Sequence, residues 1–431
     1  MLSLRASLMR FYGTTKQQEK PIFINTVLCV IILNTFLVIG ALFILKDWLM
    51  KSIFKGIEFW PLVFFALLII LFTTLFTAYQ TILQAKQEGK KYTISNMLYM
   101  FIHAILNILF IVILKRGASG YMISLLLANL FLAFFGIAQL YLSGDIVFKI
   151  NWNYAKKAIR YALPIVPHDL SNNVSEYISK VYLNNFLSYA ATGIFSIASQ
   201  VSGMMSLVQT SLNLAFHPWF NEQMGAGEQG RKNIKKFSLF VFTIYCYFCM
   251  GLSFFSKEAL FLLAADEYHG AWRLVPIIAL GLVIRFIYYT HVLAILYNVK
   301  ASNFISVCSI SGCLANCVSS YLFIKFMGLY GAAFATIAYI LFLTVITVLY
   351  CNKYCKVDFG LSSMMLSLLI MIAIMGLGLW PDYMGHDNNI NFFVTTYKAL
   401  ITIIVTGGIL FMYKKQIQQL WILFRQKRGG K

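Results

Sequence analysis

Apolar and polar positions segregate along the chain into long blocks rather than short periods. Almost wholly apolar runs of about 20 residues alternate with short connections rich in Lys, Arg, Gly, Asn and Pro. Bilayer hydrocarbon is about 30 Å thick and a helix rises about 1.5 Å per residue, so each run is the length of one crossing. The pattern predicts twelve spanning helices, at residues 22–45, 59–83, 93–114, 121–142, 163–184, 190–220, 237–255, 275–297, 304–324, 329–350, 361–380 and 392–413. No strands are expected, because backbone groups in hydrocarbon must be satisfied within each helix. The connections reach about 20 residues at most, too short for a soluble catalytic domain.

Composition agrees. Of the residues, 60% are hydrophobic, 16% aromatic and only 12% charged, proportions that no water-soluble surface tolerates at this length. The expected fold class is an all-α polytopic membrane protein. Charge adds orientation: with Lys180, Arg285 and Lys398 set aside inside spans, 24 Lys and Arg fall on the side holding both termini and eight on the other. Basic residues accumulate on the cytoplasmic side, so both termini are expected there. The net charge of +20 is then read as topology and contact with anionic membrane lipid, not as a nucleic-acid surface. The opening "MLSLRASLMRFYGTTKQQEKP" has no apolar core before Pro21 and reads as a cytoplasmic lead-in rather than a secretory signal. Cys246 and Cys249 form a C-x-x-C, but inside an apolar span with no second pair or His at ligand spacing. Buried small hydrophobes, with no metal and no other cofactor, are the expectation for the eight cysteines.

Two features break the apolar pattern. In "PHDLSNNVSEYISKVYLNN", from Pro167 to Asn185, the residues Asp169, Asn172, Asn173, Glu176, Ser179, Lys180 and Asn184 recur three and four apart. They share one helix face about 22 Å long. Charge at membrane depth is expensive and faces a watery cavity or a partner. Two readings are open. Glu176 and Lys180, at i and i+4, neutralise each other while the Asn side chains tie helices together. Alternatively the face lines a hydrated path, where Asn, Ser and Asp exchange hydrogen bonds with sugar hydroxyls. Pro164 and Pro167 favour a bend at its cytoplasmic end. The second feature is Arg285, near the middle of the 275–297 span and too deep to snorkel. Its guanidinium requires an anion, either Glu176 or Asp169 across the bundle or a substrate phosphate gripped by the planar fork. Tyr288, Tyr289 and His291 follow it, as packing residues or as contacts to sugar rings.

An internal repeat organises the spans. "YTISNMLYMFIHAILNILFIVILKRGASGYMIS", from Tyr92, aligns with "NFISVCSISGCLANCVSSYLFIKFMGLYGAAFA", from Asn303, so that Gly117 and Gly120 fall on Gly328 and Gly331. Each copy is a span, a tight G-x-x-G connection and another span in the same direction, which suits two bundles related by an axis along the membrane normal.

Four stretches carry a family resemblance: "KKAIRYALPIVPHDLSN" at Lys156, "ATGIFSIASQVSGMMSLVQTSLNLAFHPWF" at Ala191, "EYHGAWRLVPIIALG" at Glu267 and "GLYGAAFATIAYIL" at Gly328. In order and spacing the chain resembles the Wzx-type polysaccharide flippases, of the exporter superfamily that also contains MATE multidrug transporters and the peptidoglycan-precursor flippase. The resemblance implies two helical lobes around a central cavity, alternating access, and a lipid-linked oligosaccharide as cargo. It divides the chain into an N-terminal lobe of four spans at 1–150, a C-terminal lobe of six at 151–358, and two further spans with a basic tail at 359–431. Two departures stand out. The family has two more spans before the point where this chain begins, so either the working start lies upstream or the chain is a truncated product. An Asp-Arg pair frequent late in the family's seventh span is here Ser179 and Lys180.

These readings converge on a flippase that moves a polyprenyl-diphosphate-linked oligosaccharide to the outer leaflet for cell-surface polysaccharide synthesis, and not on an enzyme. Arg285 and Lys180 are the expected contacts to the diphosphate; Asp169, Asn172, Asn173, Glu176 and Asn184 are those to the glycan. The implied setting is a bacterial inner membrane, with membrane lipids around the protein and the polysaccharide polymerase and glycosyltransferases as partners. Coupling to an ion gradient is open. Three alternatives remain: a MATE-like small-molecule antiporter, which would need net acid in its cavity; a membrane glycosyltransferase or polymerase, which would need a larger outer loop; and an inactive truncated remnant.

Overall fold

The structure, a computed structural model, describes residues 4–52, 59–297, 304–355, 357–384 and 390–414. Within them the side chains of Pro164, His168, Asn172, Leu214, Ala215, Pro218 and Ser306 are not described. The chain forms two compact units, Met1–Leu170 and Ser171–Lys431. Among the described residues there are helices and connections and no strand.

The first unit contains α1 (Leu4–Tyr12), α2 (Lys20–Ile44), α3 (Lys46–Ser52), α4 (Phe64–Ala85), α5 (Gly89–Asn107), α6 (Gly117–Leu142), α7 (Trp152–Ala162) and the first turn of α8 (Val166–Phe186). Pro21 sits in the first turn of α2, where its missing N–H costs nothing. Asn151 caps α7 by accepting from Asn153 N at 2.9 Å. The core is the seam of α2, α4 and α6, where Phe23, Val27 and Ile31 meet Phe76, Tyr79, Ile82 and Leu132. Short α1 and α7 close over the start of α2 with Leu4, Leu8, Ala158 and Ala162. At the connecting turns Lys86 bridges Asp145 at 2.6 Å and Glu88 at 3.0 Å, and Lys91 reaches Glu88 at 2.7 Å.

The second unit holds the rest of α8, then α9 (Tyr189–Gly225), α10 (Gly227–Phe254), α11 (Ser256–Leu263), α12 (Val275–Tyr297), α13 (Phe304–Tyr354), α14 (Leu361–Met384) and α15 (Phe392–Met412). Its centre is α12. Val283, Phe286 and Ile287 pack on Phe242, Tyr245 and Cys249 of α10, and the same cluster runs on to Met364, Leu368 and Met371 of α14. Lipid is as apolar as these side chains, so the contacts are held by close dispersion packing and polar links more than by exclusion of water.

Ten helices among the described residues are long and apolar enough to cross a membrane. One of them, Val307–Tyr354, has 48 residues and is broken at Gly328, where φ is 59° and ψ is −130°. Divided there, and joined by α8, whose polarity keeps it out of the ten, they occupy the places of the twelve runs read from the sequence.

The two G-x-x-G connections fold alike. Gly117 and Gly328 both have positive φ, 52° and 59°, which a side chain adopts only with strain. Gly120 and Gly331, three residues on, lie against the preceding helix end: a Cβ on Gly120 would stand 2.7 Å from Phe110 O, and one on Gly331 would collide with Phe323 O. The sequence repeat is therefore a repeat of turn geometry.

Candidate functional site

The polar face belongs to α8, which is entered through a short 3-10 turn, Leu163–Ile165. The structure divides that face into two uses. Ser179 is buried, with its Oγ 2.9 Å from Ser320 Oγ of α13; Ser320 donates to Asn316 Oδ1 at 3.0 Å, and Asn316 Nδ2 donates to Ser175 O at 2.7 Å. This ladder ties α8 to α13 as polar helix contacts in lipid do. Asn173 and Glu176 are exposed; Asp169, Lys180 and Asn184 are half-buried. Asn184 Oδ1 is buried with no hydrogen-bond partner among the described residues. Asn172 lies in α8, but its side chain is outside the described ones.

Glu176 and Lys180 do not neutralise each other. Among the described residues neither has an ion-pair partner within 4 Å, and the Lys180 ammonium instead sits 5.2 Å over the Tyr177 ring. Lys180 is thus a half-buried base with no acid paired to it among the described residues.

Arg285 sits midway along α12, inside a cage of phenols. Its Nη2 donates to Tyr289 Oη at 2.8 Å, one helical turn on, with the guanidinium 5.2 Å from that ring. Tyr288, Tyr289 and Tyr339 are the groups that interact with it electrostatically, and no carboxylate pairs with it among the described residues. Tyr339 is also within electrostatic range of Glu176 on α8. Behind the cage, Tyr245 Oη donates to Met205 O at 2.9 Å and lies 3.5 Å from Gln209 Oε1. Gln209 is buried, and its Nε2 has no acceptor among the described residues. Sequence reasoning did not single out Gln209; an amide inside an otherwise apolar span was the available signal.

His291, which follows the cage, turns elsewhere. It is buried, its Nδ1 lies 2.8 Å from Ile287 O, and it borders a separate cavity of about 390 Å³ with Lys235, Asn352, Asp358, Gly360 and Ser363. There Lys235 holds Asp358 at 2.6 Å. That hydrogen bond, with one from the Gly360 N–H, keeps the Asp358 carboxyl below its usual range.

A second set of deep charges escaped the sequence reading. Lys398 of α15 is fully buried and contacts Glu258 at 2.5 Å, Asp382 at 2.9 Å and the Phe254 carbonyl at 2.8 Å. Asp382 also takes Lys257 at 3.1 Å, and Thr395 donates to Glu258 at 2.9 Å. Two lysines and two acids thus cancel where α11, α14 and α15 meet. The sequence signal was Lys398 itself, seven residues into an apolar helix and demanding an acid.

With the geometry in hand, comparison with known proteins is specific. Residues 14–273 match a family described as polysaccharide biosynthesis protein. Among solved structures, a lipid II flippase, MurJ, in an inward closed conformation superposes with a TM-score of 0.69 at 16% identity, covering 96% of this chain and 88% of that one. An inward-facing multidrug resistance MATE family transporter of the MOP superfamily gives 0.70 at 14% identity, with 82% and 85% covered. A MOP superfamily transporter from Pyrococcus furiosus gives 0.57 at 13% identity, with 82% and 83% covered. No curated protein matches by sequence. The fold is that of the MurJ and MATE transporters.

Proposed function

Because the chain belongs to the polysaccharide biosynthesis protein family, we propose that it is a Wzx-type flippase. Its cargo on this reading is a polyprenyl-diphosphate-linked oligosaccharide, carried from the cytoplasmic to the outer leaflet for envelope polysaccharide such as O-antigen, capsule or exopolysaccharide. The observation that carries this reading is Arg285: a guanidinium deep in a membrane helix, ringed by tyrosines, with no carboxylate paired to it among the described residues. A half-buried cation with no acid paired to it among the described residues suits an anionic cargo, and the planar fork suits phosphate oxygens. Lys180, over Tyr177 and equally without an acid, is the second contact.

The physical task explains the rest. Stripping water from phosphates and sugar hydroxyls costs several kcal/mol or more per group, so a bare bilayer blocks the head group. Fixed cations and a polar helix face lower that barrier while the polyprenyl tail stays in lipid. Asp169, Asn172, Asn173, Glu176 and Asn184 contact the glycan on this reading; Ser179 does not, because it is tied to Ser320. The working parts are an N-terminal lobe at 1–150, a C-terminal lobe at 151–358 and an appended pair of helices from 359, rocking between two access states. Both termini face the cytoplasm of a bacterial cell, and the polymerase and glycosyltransferases of the pathway are its partners. A cation-exporting antiporter is disfavoured by the same two bases, which have no acid paired to them among the described residues, and the transporter fold supports a carrier over an enzyme.

The test is complementation of a flippase-deleted strain, scoring surface glycan and trapped lipid-linked intermediate at matched membrane levels of each variant. Arg285→Ala and Lys180→Ala are each expected to lower export about 10- to 100-fold, the scale of one charged hydrogen bond lost. Arg285→Lys is expected to recover little, since an ammonium lacks the bidentate fork. Export intact in both alanine variants would overturn the assignment.

A further inference from the structure

The second unit contains a cavity that transport of a glycan does not use. Its volume of about 390 Å³ is at the small end of the roughly 300–1,000 Å³ common among ligand pockets. Four helix ends supply its lining: Lys235 of α10, His291 of α12, Asn352 of α13, and Ser362 and Ser363 in the first turn of α14. Lys235, Asn352, Asp358 and Ser362 are exposed around it, while Phe359 and His291 are buried. His291, 2% exposed, is the informative group. Its Nδ1 lies 2.8 Å from Ile287 O, one turn back on its own helix. A carbonyl only accepts, so that bond puts the proton on Nδ1 and makes Nε2, at the far edge of the ring, an acceptor with no hydrogen bond among the described residues. A buried acceptor without a donor is costly and marks a place where a ligand hydroxyl belongs.

The rest of the polar lining is mostly donors. The first N–H groups of a helix have no partner inside it. At α14 the Gly360 N–H donates to Asp358 Oδ1 at 2.7 Å and the Met364 N–H to Gly360 O at 3.0 Å. Those of Leu361, Ser362 and Ser363 are left open among the described residues, at the positive end of a 24-residue helix. Lys235 adds an ammonium, which gives one hydrogen to Asp358 Oδ2 at 2.6 Å and keeps two. Such a set of donors suits phosphate oxygens. Asp358 and His291 Nε2 are acceptors on the same lining, so a bare anion meets a carboxylate there, whereas hydroxyl groups meet a partner.

We propose that this cavity binds a small phosphate ester that carries hydroxyl groups, of the kind a sugar phosphate represents. Its phosphate sits at the start of α14 against Lys235, Ser362 and Ser363, and a hydroxyl donates to His291 Nε2. The orientation expected from the charge bias turns this end of the helices to the cytoplasm, where such esters are soluble metabolites. Bound there, the ligand joins the ends of α10, α12, α13 and α14, whichever cargo the protein moves.

Calorimetric titration of the full chain in phosphatidylcholine nanodiscs with glucose 1-phosphate, inorganic phosphate and glucose tests this. Glucose 1-phosphate is expected to bind at one site, inorganic phosphate about tenfold more weakly, and glucose not measurably. Lys235→Gln, at an exposed position, is expected to weaken the ester about tenfold, the scale of one charged hydrogen bond, and Lys90→Gln, equally exposed in the first unit, to change nothing. Ser363→Asp places an acid where the phosphate sits and suits a helix start, so it is expected to abolish binding in a folded protein. His291→Phe keeps a ring and is expected to bring the ester down to the affinity of inorganic phosphate. Discs containing phosphatidylglycerol separate the two sources of such a phosphate: unchanged affinity upholds the soluble ester, and loss by competition upholds the phosphate site with a lipid head group in it. No binding of glucose 1-phosphate, inorganic phosphate or glucose binding as tightly as the ester, or full affinity in Ser363→Asp would each overturn the site.

Discussion

At the residue scale, what decides a charged side chain's role is whether its counter-charge lies within reach. Arg285 and Lys398 both sit deep in apolar helices, and from composition alone they are equivalent. Lys398 has two carboxylates and a carbonyl within 3 Å, so it is a structural cation; Arg285 has a phenol, so its charge is available. Glu88 shows the same rule at a surface turn. Hydrogen bonding to Lys91 and then Lys86 holds its carboxyl below the ordinary range, against the opposing effect of burial. A depressed acid stabilises the fold fully above its unfolded value and loses that contribution as pH falls through the folded one. Amide exchange in the turn at residues 86–91 is expected to hold steady from neutral pH to about pH 5 and to speed up, beyond its intrinsic change, below about pH 4. In Glu88→Gln that extra acid step is expected to vanish, and a wild type without the step would contradict the pairing.

At the scale of elements, α15 shows how a helix is fixed when apolar burial gives it little. Its one fully buried side chain is Lys398, and its other polar ties include Thr395 to Glu258 at 2.9 Å, Tyr397 Oη to Leu377 O at 3.3 Å, Thr406 to Tyr247 Oη at 2.8 Å and, just past its end, Tyr413 to Thr243 at 3.0 Å. In lipid such a helix gains almost nothing by hiding leucines, so the ion cluster sets its place. Lys398→Ala strands Glu258 and loosens Asp382 in a buried site, and is expected to cost about 3 to 5 kcal/mol, read as a lower unfolding midpoint in detergent titration. Replacing Lys257, Glu258, Asp382 and Lys398 together by apolar residues of similar size is expected to restore most of that loss, since no charge is then left unpaired. If the quadruple variant were less stable than the single one, the cluster would have a role beyond cancelling itself.

At the scale of the whole molecule, the sequence-derived orientation can be checked directly. No disulfide joins any of the eight cysteines, so a cysteine-free background is chemically simple. A single cysteine returned at Gln87 is expected to react with a membrane-impermeant maleimide only after lysis, and one at Glu267 to react in intact cells. The opposite pattern would invert the proposed direction of transport. The Ser179–Ser320 link and the surroundings of Arg285 would keep their geometry in either case, because both are set by packing within the second unit.

The span pattern and the two glycine turns were legible in the chain because each rests on a local cause. Twenty apolar residues must cross a bilayer, and the positive φ at Gly117 and Gly328 follows from tight connections of the same design. The polar face of α8 was legible for the same reason, since its residues share a helix and need no neighbour to define it. What that face does was not local. Ser179 is tied to Ser320, 141 positions away, Glu176 forms no ion pair with Lys180, and Arg285 donates to Tyr289 with no carboxylate paired to it among the described residues. Asp382, Glu258 and Lys398 are likewise far apart in sequence and meet only through packing. Hydrophobicity and turn chemistry act over a few residues, so the sequence by itself determined the class, the spans and the list of anomalous charges. Electrostatic pairing acts across a few ångströms between distant residues, so only the tertiary structure decided which of those charges are cancelled and which are left to meet a ligand.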